Sequence, residues 1–257
     1  MKCVIVLPPK EALNYDKAND IVQWVKNANI EIADNPSAND ADIIIVIGGD
    51  GTLLSAIHNY WQYNKPFFGI NRGTLGFLLN QINSPKDLIN GINKLDILKL
   101  KLLKAEFVLN NGQKKELFAF NDIVLKADHG TVCHGNIQGQ KYPLKEFKGD
   151  GIIISTPQGT TAYNHSAGGS VLPLEHNILA ITTICSITRP IRDTVAIQQI
   201  TAKITHCNGD IIGHADSQSI KPIKEVTIQP SEHSVELAFI KGYDFETKRY
   251  RMDYQIT

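Results

Sequence analysis

The chain has 257 residues and a mass of 28.5 kDa, with 42% hydrophobic and 20% charged residues, which excludes a disulfide miniprotein and wholesale disorder. Lys and Arg number 26 against 26 Asp and Glu, and the isoelectric point is near 7.1, so there is no basic footprint for nucleic acid. Apolar runs such as Ile43–Ile47 and Ile152–Ile154 fall far short of the ~20 residues that span a bilayer, and Met1-Lys2-Cys3-Val4 lacks a signal-peptide plan; the expectation is a soluble cytoplasmic protein without a membrane partner.

Residues 2–7, 42–47 and 66–70 are short β-branched apolar runs, read as buried strands. Between the first two, Ala18, Ile21, Val22, Val25 and Ala28 recur at helical spacing; after the second, Leu53, Leu54, Ile57 and Trp61 do the same. Such alternation predicts a parallel sheet covered by helices, with ligands near the carboxyl ends of the strands. Ser84-Pro85 reads as an N-cap and first helical residue, before an apolar face of Leu88, Ile89 and Ile92.

From Leu98 the pattern turns to alternation, with turn signals at Asn110-Asn111-Gly112 and Asn208-Gly209-Asp210 and strand-like runs at Leu117–Leu125, Val195–His206, Val226–Gln229 and Val235–Ile240. The fold class is therefore α/β with a parallel sheet, followed by a β-rich, largely antiparallel domain. The expected division is 1–97, with 241–257 packing back on it, and 98–240. His129–Phe147, rich in Gly, His and Lys, is expected to be a mobile loop. Cys3, Cys133, Cys185 and Cys207 form no CxxC pair and no histidine cluster accompanies them, so free thiols and no dedicated metal site are expected.

The most informative string is Gly48-Gly49-Asp50-Gly51-Thr52, which closes one strand and opens a helix. Glycines there let backbone N–H groups approach phosphate oxygens, which a helix N-terminus also attracts. Asp50 suits either of two carboxylate tasks in phosphoryl transfer, orienting Mg²⁺ or accepting a hydroxyl proton; the competing reading is a tight turn with Asp50 as helix N-cap. The P-loop and Rossmann glycine signatures are both absent. A second cluster runs Gly149-Asp150-Gly151, then Ser155-Thr156-Pro157-Gln158-Gly159-Thr160-Thr161-Ala162-Tyr163-Asn164-His165-Ser166-Ala167-Gly168-Gly169. Its hydroxyls and amides suit ribose and adenine edges, and Tyr163 can stack or hydrogen-bond, although a Ser/Thr turn region capping a helix would look alike. In Phe120-Asn121-Asp122-Ile123 two polar residues interrupt an apolar strand, as a ligand contact or as a turn. Arg72, after the third strand, has a fork of donors for a phosphate or for packing a turn.

With these strings in place the chain resembles the NAD kinase family, which phosphorylates the adenosine-ribose 2′-hydroxyl of NAD. The resemblance rests on GGDGT at 48–52, GINRGTLGFL at 69–78, Asn121-Asp122, GDGIIISTPQGTTAYNHSAGG at 149–169 and Asp216-Ser217-Gln218. GGDG alone is shared with diacylglycerol and sphingosine kinases and with phosphofructokinases; the longer strings are not. The resemblance implies a two-domain fold with the active site at the junction, and homodimers or homotetramers in which a neighbouring subunit completes the NAD site. It implies Asp50 as proton acceptor, with Gly48, Gly49, Gly51 and Thr52 lining the phosphate loop. It also implies NAD contacts from Asp50, Gly51, Asn121, Asp122, Lys148, Asp150, Thr161, Ala162, Tyr163, Asn164, His165, Ser166, Cys185 and Gln218. This chain departs from the family at Asp122, where Glu is usual, at Ser217, where Gly is usual, and at Pro173-Leu174-Glu175, where His-Pro is usual.

The expected reaction is in-line transfer from ATP or polyphosphate, with Mg²⁺ or another divalent cation on the donor and NAD as substrate rather than cofactor. A catalytically silent NAD sensor is an alternative that retention of Asp50 disfavours. A lipid kinase is another, disfavoured because no amphipathic basic helix is evident for membrane docking.

Overall fold

The apolar runs at the start of the chain pair as a parallel sheet in the computed structural model, which describes residues 1–13, 15–33, 38–128 and 130–250. β1 (Lys2–Val6) is followed by α1 (Tyr15–Asn27), a two-residue β2 (Glu31–Ile32), β3 (Ile43–Gly48), α2 (Asp50–Tyr60), β4 (Phe67–Asn71) and α3 (Pro85–Ile92). β1 pairs with β3 from Cys3↔Ile43 to Val6↔Val46, and β3 with β4 from Ile44↔Phe67 to Gly48↔Asn71. Every residue of β3 is buried, as expected of a parallel strand covered on both faces. Ala18, Ile21 and Val25 of α1 and Leu88 and Ile92 of α3 pack with Ile43, Ile45, Ile47, Phe68 and Ile70. Leu53, Ala56 and Ile57 are the buried side of α2. Ser84 caps α3 as read from the sequence: its hydroxyl accepts from Asp87 N at 3.2 Å, while Asp87 Oδ2 accepts from Asn83 N at 3.2 Å.

β5 (Leu95–Leu109) carries the chain from one compact unit, Met1–Leu100 with Ser234–Thr257, into a second, Lys101–His233. There β5 forms a hairpin with β6 (Lys114–Ala119), turning through Gly112 at φ +86°. β7 (Asp122–Ala127), β8 (Cys133–Gly139), β9 (Lys145–Gly149), β10 (Gly151–Ser155), α4 (Tyr163–Ser166), β11 (Ile178–Ile184), β12 (Arg192–Ala196), β13 (Ile200–Cys207), β14 (Ile211–Ala215), β15 (Gln218–Ile220) and β16 (Ile223–Ile240) follow. One antiparallel sheet has the order β12-β11-β10-β7-β14-β15; in the other, the first part of β16 is followed by β13, β8 and β9. Phe107, Ile123, Leu125, Ile137, Phe147, Ile152, Ile154, Ile181 and Ile228 are among the side chains of the shared core of this unit.

Two expectations from the sequence need correction here. The segment read as a mobile loop is largely the β8–β9 hairpin, paired from Cys133↔Gly149 to Ile137↔Lys145; His129 lies outside the described residues. Burial alternates, with Cys133, Gly135, Ile137 and Phe147 inward, and any side chain at Gly135 would collide with the Phe147 ring opposite. The runs 226–229 and 235–240 are one 18-residue strand, β16. Pro230 stands where that strand has left its β13 register, which ends at Ile200↔Ile228, and has not reached its pairing with β4 at Leu237↔Phe67.

The second part of β16 thus completes the parallel sheet of the first unit. Asn80, fully buried, joins them: its Nδ2 donates to Gly69 O and Ala238 O, both at 3.0 Å, and its Oδ1 accepts from Ile240 N at 2.8 Å. α5 (Phe245–Tyr250) belongs to the same unit, and residues 251–257, part of the segment expected to pack back, lie outside the described residues. Among the described residues no helix is long and apolar enough to cross a membrane.

Candidate active site

The first unit builds a glycine-rich turn between β3 and α2. Gly49, extended at φ −108° and ψ −177°, is the N-cap of α2, and no side chain caps the helix. Asp50 is therefore the first helical residue rather than the cap. Thr52 N and Leu53 N both donate to Gly49 O, at 3.0 and 3.1 Å, which leaves the preceding amides pointing out of the helix start. A side chain at Gly48 would strike Thr52, and a Cβ at Gly73 would lie 3.0 Å from Gly49 Cα, whereas one at Gly51 would meet nothing within 4 Å. Gly48 and Gly73 are thus demanded by packing, and Gly51 faces open space.

The Asp50 carboxylate is gripped by the 71–80 segment, with Phe77 N donating to Oδ2 at 3.0 Å and Leu78 N to Oδ1 at 3.1 Å. A carboxylate has about four lone-pair directions, so two remain for a hydroxyl. Gly76, at φ +65° and close against the Asn71 side chain, makes the turn that aims these amides. Asn71 holds the turn from within, accepting from Gly73 N at 3.0 Å and donating to Leu75 O at 3.2 Å. Arg72 donates its backbone N–H to Gly48 O at 2.7 Å; its guanidinium donates to Asn71 O at 2.6 Å and Ile82 O at 2.7 Å and lies 5.5 Å from the centre of the Trp24 ring. Its fork of donors braces the loop.

The second unit gathers the remaining residues singled out in the sequence. Asn121 and Asp122 lie at the β6–β7 turn, where Asp216 accepts from Phe120 N at 2.7 Å, Asn121 N at 2.8 Å and Asp122 N at 3.0 Å. Asp216 is in the left-handed region at φ +53°. The sequence singled out Gln218, exposed on β15, and left Asp216 without a role, although an acid on a tight turn is a common amide acceptor. Asn121 O accepts from Thr156 N and Thr156 Oγ1, both at 2.9 Å, and the Gly159 backbone packs against Asn121 so closely that no side chain fits there. Asp122 is buried at 6% exposure; burial, and then the charge of Asp216, push its carboxyl up to about 7.

Tyr163, 38% exposed at the start of α4, is raised by burial and by Cys185, Asp150 and Asp122, which are near enough to repel its phenolate. Asp150 N donates to Ile184 O at 3.0 Å, and the exposed Cys185 thiol, at φ +44°, is raised first by its hydrogen bond to Asp150. Thr161, Ala162 and His165 are half-buried and Ser166 is exposed along the same segment. Asn164 differs from the expectation of a ligand contact. It is fully buried, donates to Thr160 O at 3.3 Å and Ser170 O at 3.0 Å, and accepts from Thr182 Oγ1 at 2.7 Å, so its amide closes the turn from inside. Lys148 lines a cavity of about 470 Å³ with His134, Asn136, Glu146, Arg189 and Thr205. Among the described residues no cluster of three His, Cys, Asp or Glu is placed to hold a metal ion.

Family models match both parts of the chain: the ATP-NAD kinase N-terminal domain over residues 4–95 and the ATP-NAD kinase C-terminal domain over residues 120–238. The NAD kinase of Rickettsia bellii is 37% identical over 219 residues, covering 81% of this chain and 84% of its own, and that of Rickettsia typhi is 36% identical over 218 residues with the same coverage. The fold is shared with an NAD kinase from Archaeoglobus fulgidus solved in complex with ATP, at TM-score 0.75 and 20% identity over 99% of this chain and 98% of that one. It is shared also with yeast NADH kinase solved with NADH, at TM-score 0.79 and 17% identity over 100% and 88%. The matched strands and helices carry the glycine turn, the clamped Asp50 and the Asn121-Asp122 turn, and the chain belongs to the NAD kinase family of phosphotransferases.

Proposed function

We propose that this chain phosphorylates the 2′-hydroxyl of the adenosine ribose of NAD to give NADP, with ATP or polyphosphate as donor. The observation that carries the reading is Asp50, a carboxylate at the first turn of α2, held by two amides and keeping lone pairs for a hydroxyl. In this reaction the 2′-oxygen attacks the donor's terminal phosphorus while its proton passes to Asp50. The bond from that phosphorus to its bridging oxygen breaks, and ADP or a shortened polyphosphate leaves with the electron pair. The uncapped amides at Gly49 and Gly51, with the Thr52 turn, receive the donor's phosphates, and Arg72 supports them as the brace of the loop.

Mg²⁺ enters this reading as part of the donor complex, where it would keep several waters and need only one or two carboxylates beside phosphate oxygens. When bound it neutralises phosphate charge. On the second unit, Asn121, Asp122, Asp150, Tyr163 and Ser166, with Thr161, Ala162, His165, Lys148, Cys185 and Gln218 around them, are assigned to NAD, while Asn164 shapes their turn from the interior. The related proteins solved with ATP and with NADH support a nucleotide donor and a dinucleotide acceptor. The reading includes a homodimer or homotetramer, to be checked by light scattering; a fully active monomer would remove the shared-site element.

The test is incubation of the purified chain with NAD, Mg²⁺ and either ATP or polyphosphate, with NADP read by an NADP-specific dehydrogenase. NADP formation is expected. NAD binding without NADP would instead support a sensor, and phosphorylation of diacylglycerol or sphingosine would support a lipid kinase.

A further inference from the structure

The segment after residue 238 lies beyond both family matches, yet α5 reaches the machinery around Asp50. Lys248 Nζ donates to Gly76 O at 2.5 Å. Gly76 C=O and Phe77 N–H belong to one planar peptide unit, with the carbonyl and the N–H on opposite sides. The first is held by Lys248 and the second donates to Asp50 Oδ2 at 3.0 Å. A single rigid plate thus joins an ammonium to the carboxylate through two hydrogen bonds in series. A cation on the carbonyl polarises the amide and strengthens its N–H as a donor, while fixing the direction in which that N–H points.

We propose that Lys248 is a positioning residue for the reaction: through the Gly76–Phe77 peptide it orients the Asp50 carboxylate that takes the acceptor's proton. The inference rests on the kinase reading given above. Other features of Lys248 agree with it. The side chain is half-buried, and among the described residues no carboxylate pairs with it directly, so its ammonium is directed at the carbonyl. Burial pushes its pKa down, and the opposing influence that pulls it up is the negative charge of Asp50. The next residue, Arg249, is fully buried and also feels Asp50, after Glu246 and Tyr250.

Three variants separate the roles. Lys248→Met removes donor and charge, Lys248→Gln keeps a donor for Gly76 O without charge, and Lys248→Arg keeps both. Each is measured for kcat and for the KM of NAD, and backbone amide exchange is read at Phe77 and Leu78. The expected result is a roughly 10- to 100-fold loss of kcat in Lys248→Met, with the KM of NAD within about threefold. Lys248→Gln should fall between it and the wild type, and Lys248→Arg should retain most turnover. Exchange at Phe77 and Leu78 should quicken in the same order. If Lys248→Met is not soluble, Lys248→Gln carries the comparison. Wild-type kcat in Lys248→Met or Lys248→Gln, or unchanged exchange at both amides, would overturn the proposal, as would a loss of turnover in Lys248→Arg equal to that in Lys248→Met. Should the wild-type chain form no NADP, the kinase reading falls by itself, and amide exchange still decides whether Lys248 pins the clamp.

Discussion

Asp216 and Asp122 are joined by two hydrogen bonds: Asp122 N donates to the Asp216 carboxylate Oδ1 at 3.0 Å, and Asp216 N donates back to the Asp122 carbonyl O at 3.0 Å. The pairing fixes the β6–β7 turn and brings a charged carboxylate close to a buried one. Only Asp216 has three backbone amides to stabilise its charge.

Stability should carry the mark of Asp122. Its native pKa, pushed up to about 7 by burial and Asp216, lies above the unfolded value of about 3.9. The native state therefore binds the extra proton between those values. This contribution to stability is fully present below the unfolded pKa and is lost as pH rises through the native one. Asp122→Asn has no such proton to lose, so its melting temperature relative to the wild type should rise from about pH 5 to about pH 8. A constant difference between the two proteins across that range would show that the native carboxyl titrates as in the unfolded chain.

Binding gives a second reading of the same residue. If ionised Asp122 accepts hydrogen bonds from NAD hydroxyls, each is charge-assisted and worth roughly 1.5–3 kcal/mol, or about 10- to 150-fold. Asp122→Asn should raise the KM of NAD by that order with little change in kcat or in the KM of the phosphate donor. Asp122→Glu should be tolerated within a few-fold if the turn has room for the family's usual residue, and should cost about 1–3 kcal/mol if it has not. A lowered melting temperature with unchanged NAD affinity in Asp122→Asn would make the residue structural.

Replacing Asp50 by Asn keeps an oxygen for one of the Phe77 and Leu78 amides, turns an NH2 toward the other and removes the proposed base. Turnover should fall roughly 10²- to 10⁴-fold with NAD binding nearly intact and the fold retained. Isothermal titration beside steady-state kinetics checks both halves, and undiminished turnover at saturating substrates would take Asp50 out of the proton-acceptor role.

Arg72 distinguishes a brace from a phosphate ligand. Arg72→Met removes donors from Asn71 O and Ile82 O and the contact with Trp24, and should cost about 1–3 kcal/mol of stability by chemical denaturation. The KM of the phosphate donor should stay within about threefold. An unchanged denaturation midpoint with a large rise in that KM would place the guanidinium on the donor instead.

The parallel core was legible because β3 is buried on both faces and so has the composition of a pure strand, Ile43-Ile44-Ile45-Val46-Ile47. The β8–β9 hairpin was not, since glycine, histidine and lysine stand where β-branched residues would announce a strand; Gly135 is there because the Phe147 ring occupies its side-chain space. The glycine turn and Asp50 could be read from a contiguous string, but the amides that grip Asp50 lie 27 and 28 residues further on. Asp216 acts across 94 to 96 residues, a distance at which local pattern is silent. Asn164 lay within a polar run whose outward and inward members have the same chemistry, and only burial separates them.

Asn80 also constrains the order in which the chain can be finished. Its amide bonds to Ala238 O and Ile240 N, 158 and 160 residues away, and Leu237 is the residue that pairs with Phe67. During synthesis, β1, β3 and β4 emerge early, yet one side of β4 remains an open template and the Asn80 side chain lacks two of its three bonds until residue 240 has left the ribosome. The unit bearing Asp50 is thus begun first and closed last, with the whole β-rich unit made in between. A chain truncated before Leu237 should therefore emerge with an unpaired, aggregation-prone β4 edge even though every residue of its glycine turn is present.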